Sequence, residues 1–252
     1  MHRVEAMAAV LNRAASAPDG PLTVRLSLLD GFMLSCQDQL ISMPRTAQRL
    51  LAFLGLNDRV QLRSHVAGTL WADTTDQHAV ASLRSTLWRL GRSSHVLVEA
   101  TVESLRLPDW VEVDYWSATA RARGILDDGS TVPAGELDDS GLTADLLPDW
   151  SDDWVILERE RFRQLRLHAL DTRCQRLAAA GLLAQAVEAG HVAVACEPLR
   201  ESANRCLIEL HLAEGNRSEA LRHYRGYRRV LMDELGLEPS PAMELLVQGL
   251  RV

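Results

Sequence analysis

The stretch that decides the fold of the first half is Asp76-Gln-His-Ala-Val-Ala-Ser-Leu-Arg-Ser-Thr-Leu-Trp-Arg-Leu-Gly-Arg92. Apolar residues recur in it at three- and four-residue spacing. This spacing predicts a helix over 77–92, preceded by an N-cap at Thr75 or Asp76. At 100° per residue, four apolar side chains form one stripe that must face the core. These predicted core positions are Ala79, Leu83, Leu87 and Leu90.

The other side of this helix carries His78, Ser82, Ser85, Arg89 and Arg92, within an arc of roughly 80°. Small hydroxyl side chains let a helix approach base edges closely, and arginine reaches guanine or phosphate oxygens. The pattern therefore favours a helix that enters the major groove of DNA. An ordinary solvated helix face is the alternative.

Further side chains near this helix are candidates for contacts. Trp88 lies away from the core stripe, with Arg84 on the same side. A tryptophan on a solvent face often marks a contact surface, although this one can equally pack on the hairpin or on the other domain. Arg45, Arg49 and Arg63 precede or open helices, where arginines either contact phosphates or simply solvate the helix.

The segments around this helix predict a winged helix with an added N-terminal sheet. The prediction places a loose tail at 1–21, short strands within 22–42, helices over 45–56 and about 63–70, and a hairpin of 96–98 with 104–107. The strands and the two other helices precede this helix, and the hairpin follows it. In this order, the helix takes the recognition position of a winged helix.

The second half is predicted to be helical. A helix over 115–126 is followed by residues 127–153, which contain nine acids and no bases and are typical of a solvated connection. A long helix over about 152–180 comes next. Gly181 and Gly215 are then 34 residues apart, as are Ala186 and Ala220. This period is typical of a tetratricopeptide-like pair of helices.

The charge of the chain is uneven. Its 252 residues carry a formal charge of -7, and all 27 basic residues are arginine. Residues 22–112 balance nine bases with nine acids, and 45–95 hold seven arginines against three aspartates. The acidic excess lies in 113–252. The overall charge therefore does not argue against a nucleic-acid partner.

Other classes of protein are disfavoured by the motifs. The chain has no phosphate-binding loop, dinucleotide fingerprint, zinc-protease motif or serine-hydrolase elbow, so we expect no enzyme, no cofactor and no metal. Its four cysteines lack metal spacing and are interpreted as small buried hydrophobes. Without a secretory leader or an apolar run of about 18 residues, the chain is expected to be cytoplasmic and not membrane-bound.

Several motifs together resemble one known family. In the first half they are Ala47-Gln-Arg-Leu-Leu-Ala-Phe-Leu54, Val66-Ala-Gly-Thr-Leu-Trp71 and Ala81-Ser-Leu-Arg-Ser-Thr-Leu-Trp-Arg-Leu90. In the second half they are Leu146-Leu-Pro-Asp-Trp-Ser-Asp-Asp-Trp154, Glu158-Arg-Glu-Arg-Phe-Arg-Gln-Leu-Arg166, Glu197-Pro-Leu-Arg-Glu-Ser202, Glu214-Gly-Asn-Arg-Ser-Glu-Ala-Leu221 and Asp233-Glu-Leu-Gly-Leu-Glu-Pro-Ser-Pro241. With these motifs the chain resembles the small form of the Streptomyces antibiotic regulatory protein family.

The resemblance implies a mainly α fold with a small β component. It consists of a winged helix-turn-helix with an N-terminal β-sheet and a C-terminal hairpin over 22–112, followed by an all-α, tetratricopeptide-like bacterial transcriptional activator domain over 113–252. It also implies a sequence-specific activator of secondary-metabolite genes. Such an activator binds direct repeats in double-stranded DNA, side by side or as a homodimer, and recruits RNA polymerase through its sigma subunit.

The resemblance further assigns residues to roles. Those expected to face bases are Ser82, Ser85, Thr86 and Arg89. Independently of the resemblance, the arginines at helix starts and on the outer side of the predicted helix are expected to contact phosphates: Arg45, Arg49, Arg63, Arg84 and Arg92. The turn containing Asp73, Thr74 and Thr75 corresponds to a loop that faces polymerase.

One departure from the family concerns the wing tip, Glu99-Ala-Thr-Val-Glu-Ser104. Two carboxylates there would be repelled by DNA phosphates, and Gly91 stands where relatives often carry a further arginine. We therefore expect modest and strongly salt-sensitive DNA binding. The alternative hypothesis is a protein-interaction or ligand-sensing module with a degenerate DNA-binding domain.

Overall fold

A computed structural model describes residues 23–92, 97–127, 133 and 137–249. The tail predicted at 1–21 lies outside the described residues. The chain divides into two compact units between Asp114 and Tyr115. The fold class expected from the sequence, a winged helix with a small sheet and a helical repeat domain, is confirmed.

The first unit opens with a four-stranded sheet. β1 (Val24–Ser27) pairs antiparallel with β2 (Met33–Cys36), and β2 pairs with β3 (Gln39–Leu40) through a turn with positive φ at Gln37 and Asp38. β7 (Val111–Val113) pairs parallel with β1, a strand that the sequence analysis missed. The carboxylate of Asp114 accepts hydrogen bonds from the amides of Leu28 and Leu29, which secures this edge.

Three helices follow the first three strands and agree with the predicted spans, except that the third begins one residue earlier than predicted. α1 is Arg45–Leu56, α2 is Arg63–Leu70 and α3 is Asp76–Leu90. Every residue from Leu50 to Leu56 of α1 is buried. A Cβ at Gly55 would lie 2.8 Å from the Leu26 side chain, so glycine permits the close approach of α1 to β1.

The wing is a three-stranded sheet in the order β4-β6-β5. It comprises β4 (Gln61–Leu62), β5 (Glu99–Ala100) and β6 (Ser104–Arg106). The first wing strand was predicted at 96–98, where Val96 lies outside the described residues, but pairing occurs at 99–100. The error arises because Leu97 is an apolar residue buried in the core, and it does not belong to a strand.

The second unit consists of helices in its described part. They are α4 (Asp114–Leu126, whose first residue closes the first unit), α5 (Asp153–Ala179), α6 (Leu183–Cys196), α7 (Glu201–Ala213), α8 (Arg217–Leu235) and α9 (Pro241–Gln248). Consecutive helices from α5 to α8 pack against each other. No described helix is long and apolar enough to cross a membrane.

The predicted 34-residue repeat is present in the structure. Gly181 and Gly215 both adopt positive φ, of 75° and 78°, directly after α5 and α7. Ala186 and Ala220 are both fully buried. Each glycine therefore reverses the chain at the same place in its helix pair, and each alanine admits the neighbouring helix.

The acidic connection differs from its prediction. Over its described part it is not simply solvated, because Leu142, Leu146, Leu147 and Trp150 are buried. Arg159 of α5 donates from Nε to the Leu146 carbonyl (2.7 Å) and from Nη2 to the carbonyls of Trp150 (2.8 Å) and Leu147. The acidic composition of this segment gave no indication that its apolar side chains are buried.

The cysteines also depart from the expectation of four separate buried hydrophobes. Cys174 of α5 and Cys206 of α7 form a disulfide, with Cα atoms 7.2 Å apart. Cys36 is buried and Cys196 is half-buried, and both are free. The pairing joins residues 32 positions apart, so local spacing held no sign of it.

Replacing Arg159 by alanine should destabilise the second unit by about 3 kcal/mol, because three buried carbonyls lose their donor. Arg161→Ala is the matched control on the same helix: Arg161 is exposed and pairs only with Glu158 at 3.1 Å, so its loss should cost about 0.5 kcal/mol. Urea unfolding followed by circular dichroism measures both. Equal losses would contradict the anchoring role of Arg159.

Acid should destabilise the second unit through His223. Burial, and then the nearby His191 and His211, lower the pKa of His223 from 6.5 to about 4. The unfolded chain takes up this proton first, so the contribution to stability is complete above pH 6.5 and is lost as the pH falls toward 4. We expect a loss of about 2 kcal/mol after allowance for partial exposure, and a flatter pH profile of unfolding for His223→Gln. Parallel profiles would refute this.

Candidate nucleic-acid interface

The core face of α3 is rotated slightly from its prediction. Its buried residues are Ala79, Leu83, Thr86 and Leu90, whereas Leu87 is only half-buried. Leu87 therefore does not belong to the central stripe. Thr75 caps the helix by accepting a hydrogen bond from the His78 amide, and Gly91 ends it.

The position of Thr86 corrects its assignment as a base-facing residue. It is only 3% exposed, and its hydroxyl donates to the Ser82 carbonyl at 2.9 Å. A hydroxyl satisfied within its own helix can be buried in an apolar stripe. Thr86 thus supports the packing of α3 and is not available to a base in this structure.

The remaining residues expected to face bases lie on the solvent side. Ser85 and Arg89 are exposed and Ser82 is half-buried. They share one flank of the helix, since positions 82, 85 and 89 are separated by three and four residues. A short hydroxyl beside a longer guanidinium is a combination that can hydrogen-bond base edges.

Trp88 projects from α3 almost opposite the core stripe. Its side chain is 62% exposed, and the guanidinium carbon of Arg92 lies 4.9 Å from the ring centroid. This cation–π contact orients Arg92, which was predicted to contact phosphate, beside the indole. The structure therefore places Trp88 on the surface and not in the core of the first unit.

Arg63 and Arg84 form a local centre of positive charge. Arg63 is the first residue of α2, where the helix dipole adds further positive potential. Burial, and then the charge of Arg84, lower the pKa of Arg63. Its Nε is buried without a hydrogen-bond partner, and within the described residues neither arginine forms an ion pair. The two guanidiniums therefore repel each other, and no carboxylate among the described residues offsets their charge.

The other two arginines predicted to contact phosphate lie on α1. Arg45 is its first residue and is exposed, and Arg49 lies one turn later and is half-buried. Arg59, which the sequence analysis counted only in the net charge, is exposed before β4. Their distribution places basic side chains at the starts of α1 and α2 as well as on α3.

Within the first unit, some arginines form ion pairs and others do not. Arg25 pairs with Asp38 and Glu112, and Arg106 pairs with Glu99 and Asp109. In the described chain, by contrast, a group of five arginines has no carboxylate partner: Arg59, Arg63, Arg84, Arg89 and Arg92. Within the first unit, unpaired positive charge is therefore concentrated around α2 and α3.

The wing is less acidic than its composition indicates. Arg106 donates to the Glu99 carboxylate at 2.6 Å, and this hydrogen bond is the main cause of the raised pKa of Arg106. The Glu103 carboxylate, in contrast, has no partner among the described side chains. One exposed carboxylate rather than two thus remains uncompensated at the tip.

The turn between α2 and α3 contains the residues predicted to face polymerase. Asp73, Thr74 and Thr75 are all exposed. The Thr74 hydroxyl donates to the Trp71 carbonyl at 3.0 Å, and the Thr75 hydroxyl caps α3. Both hydroxyls therefore have structural roles in the turn, and only the Asp73 carboxylate is left unengaged in the described structure.

Metal binding finds no support in the described part of the chain. No group of three or more His, Cys, Asp or Glu side chains there is arranged to hold a metal ion. Two neighbouring aspartates of the acidic connection bind arginines instead: Asp138 pairs with Arg121, and Asp139 pairs with Arg173.

The first unit is a winged helix, a fold found in many DNA-binding proteins, and the second is a helical repeat unit. Residues 118–251, more than half of the chain, match the family described as bacterial transcriptional activator domain. The chain belongs to this family and is a transcriptional regulator of the Streptomyces antibiotic regulatory protein type.

Two curated relatives are both named Regulatory protein AfsR. The Streptomyces coelicolor (strain ATCC BAA-471 / A3(2) / M145) protein is 27% identical over 222 residues, which cover 81% of this chain and 22% of that protein. The Streptomyces griseus protein is 34% identical over 91 residues, covering 36% of this chain and 9% of that protein. The chain thus matches about a fifth of the first relative and less than a tenth of the second.

A solved structure shares the fold. It is titled Mycobacterium tuberculosis EmbR in complex with low affinity phosphopeptide, and it superposes with a TM-score of 0.63 over 91% of this chain and 65% of that chain. The sequence identity is 20%, so the likeness concerns the fold alone.

Thr75→Ala should lower the stability of the first unit by about 1 kcal/mol, because it removes the N-cap of α3. Thr74→Ala, which removes an exposed hydroxyl one residue earlier, is the control and should cost about half as much or less. Thermal unfolding of the full chain measures both variants. If the two variants lost equal stability, the assigned capping role would be wrong.

Proposed function

We propose that the chain is a sequence-specific DNA-binding activator of transcription, which acts in the cytoplasm on secondary-metabolite genes such as those of an antibiotic cluster. One observation carries the proposal: within the first unit, the arginines without carboxylate partners are concentrated around α2 and α3, although the chain as a whole is acidic. Arginines that have no carboxylate partner within the protein favour the binding of an external anion. DNA supplies such anions as phosphates at regular spacing.

In this proposal the arginines divide into two roles. Arg63 and Arg84, with Arg45, Arg49 and Arg92, contact phosphates and position the protein. Arg89, assisted by Ser82 and Ser85, contacts base edges in the major groove. Thr86 has no direct role, because its hydroxyl is bonded inside the helix.

The proposal includes assembly on the promoter. Family resemblance supports binding to direct repeats, side by side or as a homodimer, and recruitment of RNA polymerase through the sigma subunit. The exposed Asp73 in the turn before α3 is the residue we assign to the polymerase contact, since the neighbouring hydroxyls are engaged in the turn.

The test uses a DNA site enriched from a random duplex library by the full chain. Arg89→Ala should weaken binding to this site about 10- to 100-fold and relax its sequence preference, because a bidentate base contact is lost. Arg63→Ala combined with Arg84→Ala should weaken binding to any duplex and reduce the slope of log K against log salt by about 1.8. Fluorescence anisotropy at several salt concentrations measures both.

Two controls accompany these variants. Arg25→Ala removes an exposed arginine that is ion-paired in the N-terminal sheet, and Thr86→Val keeps the packing of α3 without its hydroxyl. Both should bind within about twofold of the wild type. If the folded wild type enriched no site and showed no salt dependence, the proposal would fail in favour of an interaction or ligand-sensing module.

A further inference from the structure

A groove runs beside α8 on the second unit. Its volume is about 390 Å³, and its lining includes the apolar side chains of Leu221 and Met232. Met232 is exposed, which is unusual for a large apolar residue within a helix whose other face is packed. The groove therefore offers apolar surface that this unit does not itself cover.

The charged residues of the groove are unequally paired. Arg228 donates to both carboxylate oxygens of Glu238, at 2.6 and 2.9 Å, and so is neutralised. Arg225 and Arg229 are exposed and form no ion pair in the described structure, even with Asp233, which lies in the same lining. One helical turn separates them, so their guanidiniums can grip a single carboxylate.

The wing tip of the first unit has the complementary chemistry. Val102 is 85% exposed, and the adjacent Glu103 has an unpaired carboxylate. The tip is held rigid, because the Thr101 hydroxyl accepts hydrogen bonds from the amides of Glu103 (3.3 Å) and Ser104 (3.0 Å). One apolar side chain and one carboxylate are thus presented side by side at little cost in conformational entropy.

We propose that the wing tip of one copy docks into the α8 groove of a second copy when both occupy adjacent DNA repeats, an inference that rests on the proposed function. Glu103 of the first copy binds Arg225 and Arg229 of the second, and Val102 covers Leu221 and Met232. A DNA phosphate could use the two arginines, but it would leave the apolar floor exposed. The composition of the groove therefore favours a peptide tip over nucleic acid.

The wing tip and the groove are different surfaces, so the contact joins unlike patches of the two copies. A contact between unlike patches is heterologous and repeats by translation, as successive copies on direct repeats require. The contact involves few side chains and would bury far less than the roughly 1,200 Å² of surface that stable complexes need. Copies should therefore be monomeric in solution and associate only when DNA raises their effective concentration.

The experiment compares a duplex carrying one binding site with a duplex carrying two direct repeats. On the second duplex, wild-type protein should bind its second site about fivefold more tightly than its first. Glu103→Arg and the double variant Arg225→Glu/Arg229→Glu should each lose this cooperativity. The double variant should keep its affinity for the single-site duplex. Arg222→Glu, on the same helix but outside the groove and paired with Glu219, is the matched control.

A charge swap makes the test independent of stability. The protein with all three substitutions has reversed charges on both patches and should recover the cooperativity, which misfolding would not allow. Retained cooperativity in both single-patch variants would overturn the contact. Weaker single-site binding by Arg225→Glu/Arg229→Glu would overturn it too, because the groove would then face DNA. Failure of the wild type to bind the single site specifically would instead reject the proposed function itself.

Discussion

The rotation of α3 about its own axis is the constraint on which the candidate interface depends. It is set by the burial of Ala79, Leu83, Thr86 and Leu90 against α1 and α2. Each residue on a helix turns by about 100°, so fixing four side chains in the core also fixes which others meet solvent. Ser85, Trp88 and Arg89 are exposed for this reason, and the unpaired arginines around them follow from the same packing.

Arginine serves different purposes in the two units. In the second unit, three guanidiniums among the packed helices satisfy backbone carbonyls and carboxylates: Arg159 anchors the connection, Arg166 binds the Leu142 carbonyl and Asp145, and Arg200 binds Asp171 at 2.8 Å. These residues belong to the motifs by which the family was recognised. Their geometry indicates that the motifs record the packing of the domain. In the first unit the arginines near α3 have no such internal partners, so the same residue type is left available to an external one.

The sequence predicted the long elements well because their signals are local. Apolar periodicity located the helices, and the spacing of Gly181 and Gly215 located the repeat. The errors have a common physical cause. Each involves partners that are distant in sequence, or a polar group that is hydrogen-bonded within its own helix or hairpin. β4 and β7 are two- and three-residue strands defined only by distant partners. Thr86 was expected to face bases but is buried, with its hydroxyl bonded to the Ser82 carbonyl. Glu99 was expected to repel DNA phosphates, but Arg106 neutralises its carboxylate.

The site could be predicted only in part for the same reason. Residue types identified Ser85 and Arg89 as outward-facing, yet the closeness of Arg63 to Arg84 depends on how α2 and α3 cross, which no pattern within either helix encodes. The apolar anchors of the acidic connection were hidden likewise, because Leu142 and Leu146 stand among acids that face solvent.

The parallel pairing of β7 with β1 has a consequence for how the first unit forms. It joins residues that are far apart in the chain, as in the ion pair of Arg25 with Glu112 across 87 positions. Loop-closure entropy opposes such contacts until the intervening chain is ordered. During synthesis β1 must therefore wait for the helices and the wing before its second edge is covered. The first strand of the sheet therefore gains its second neighbour only after the last strand of the unit has been made.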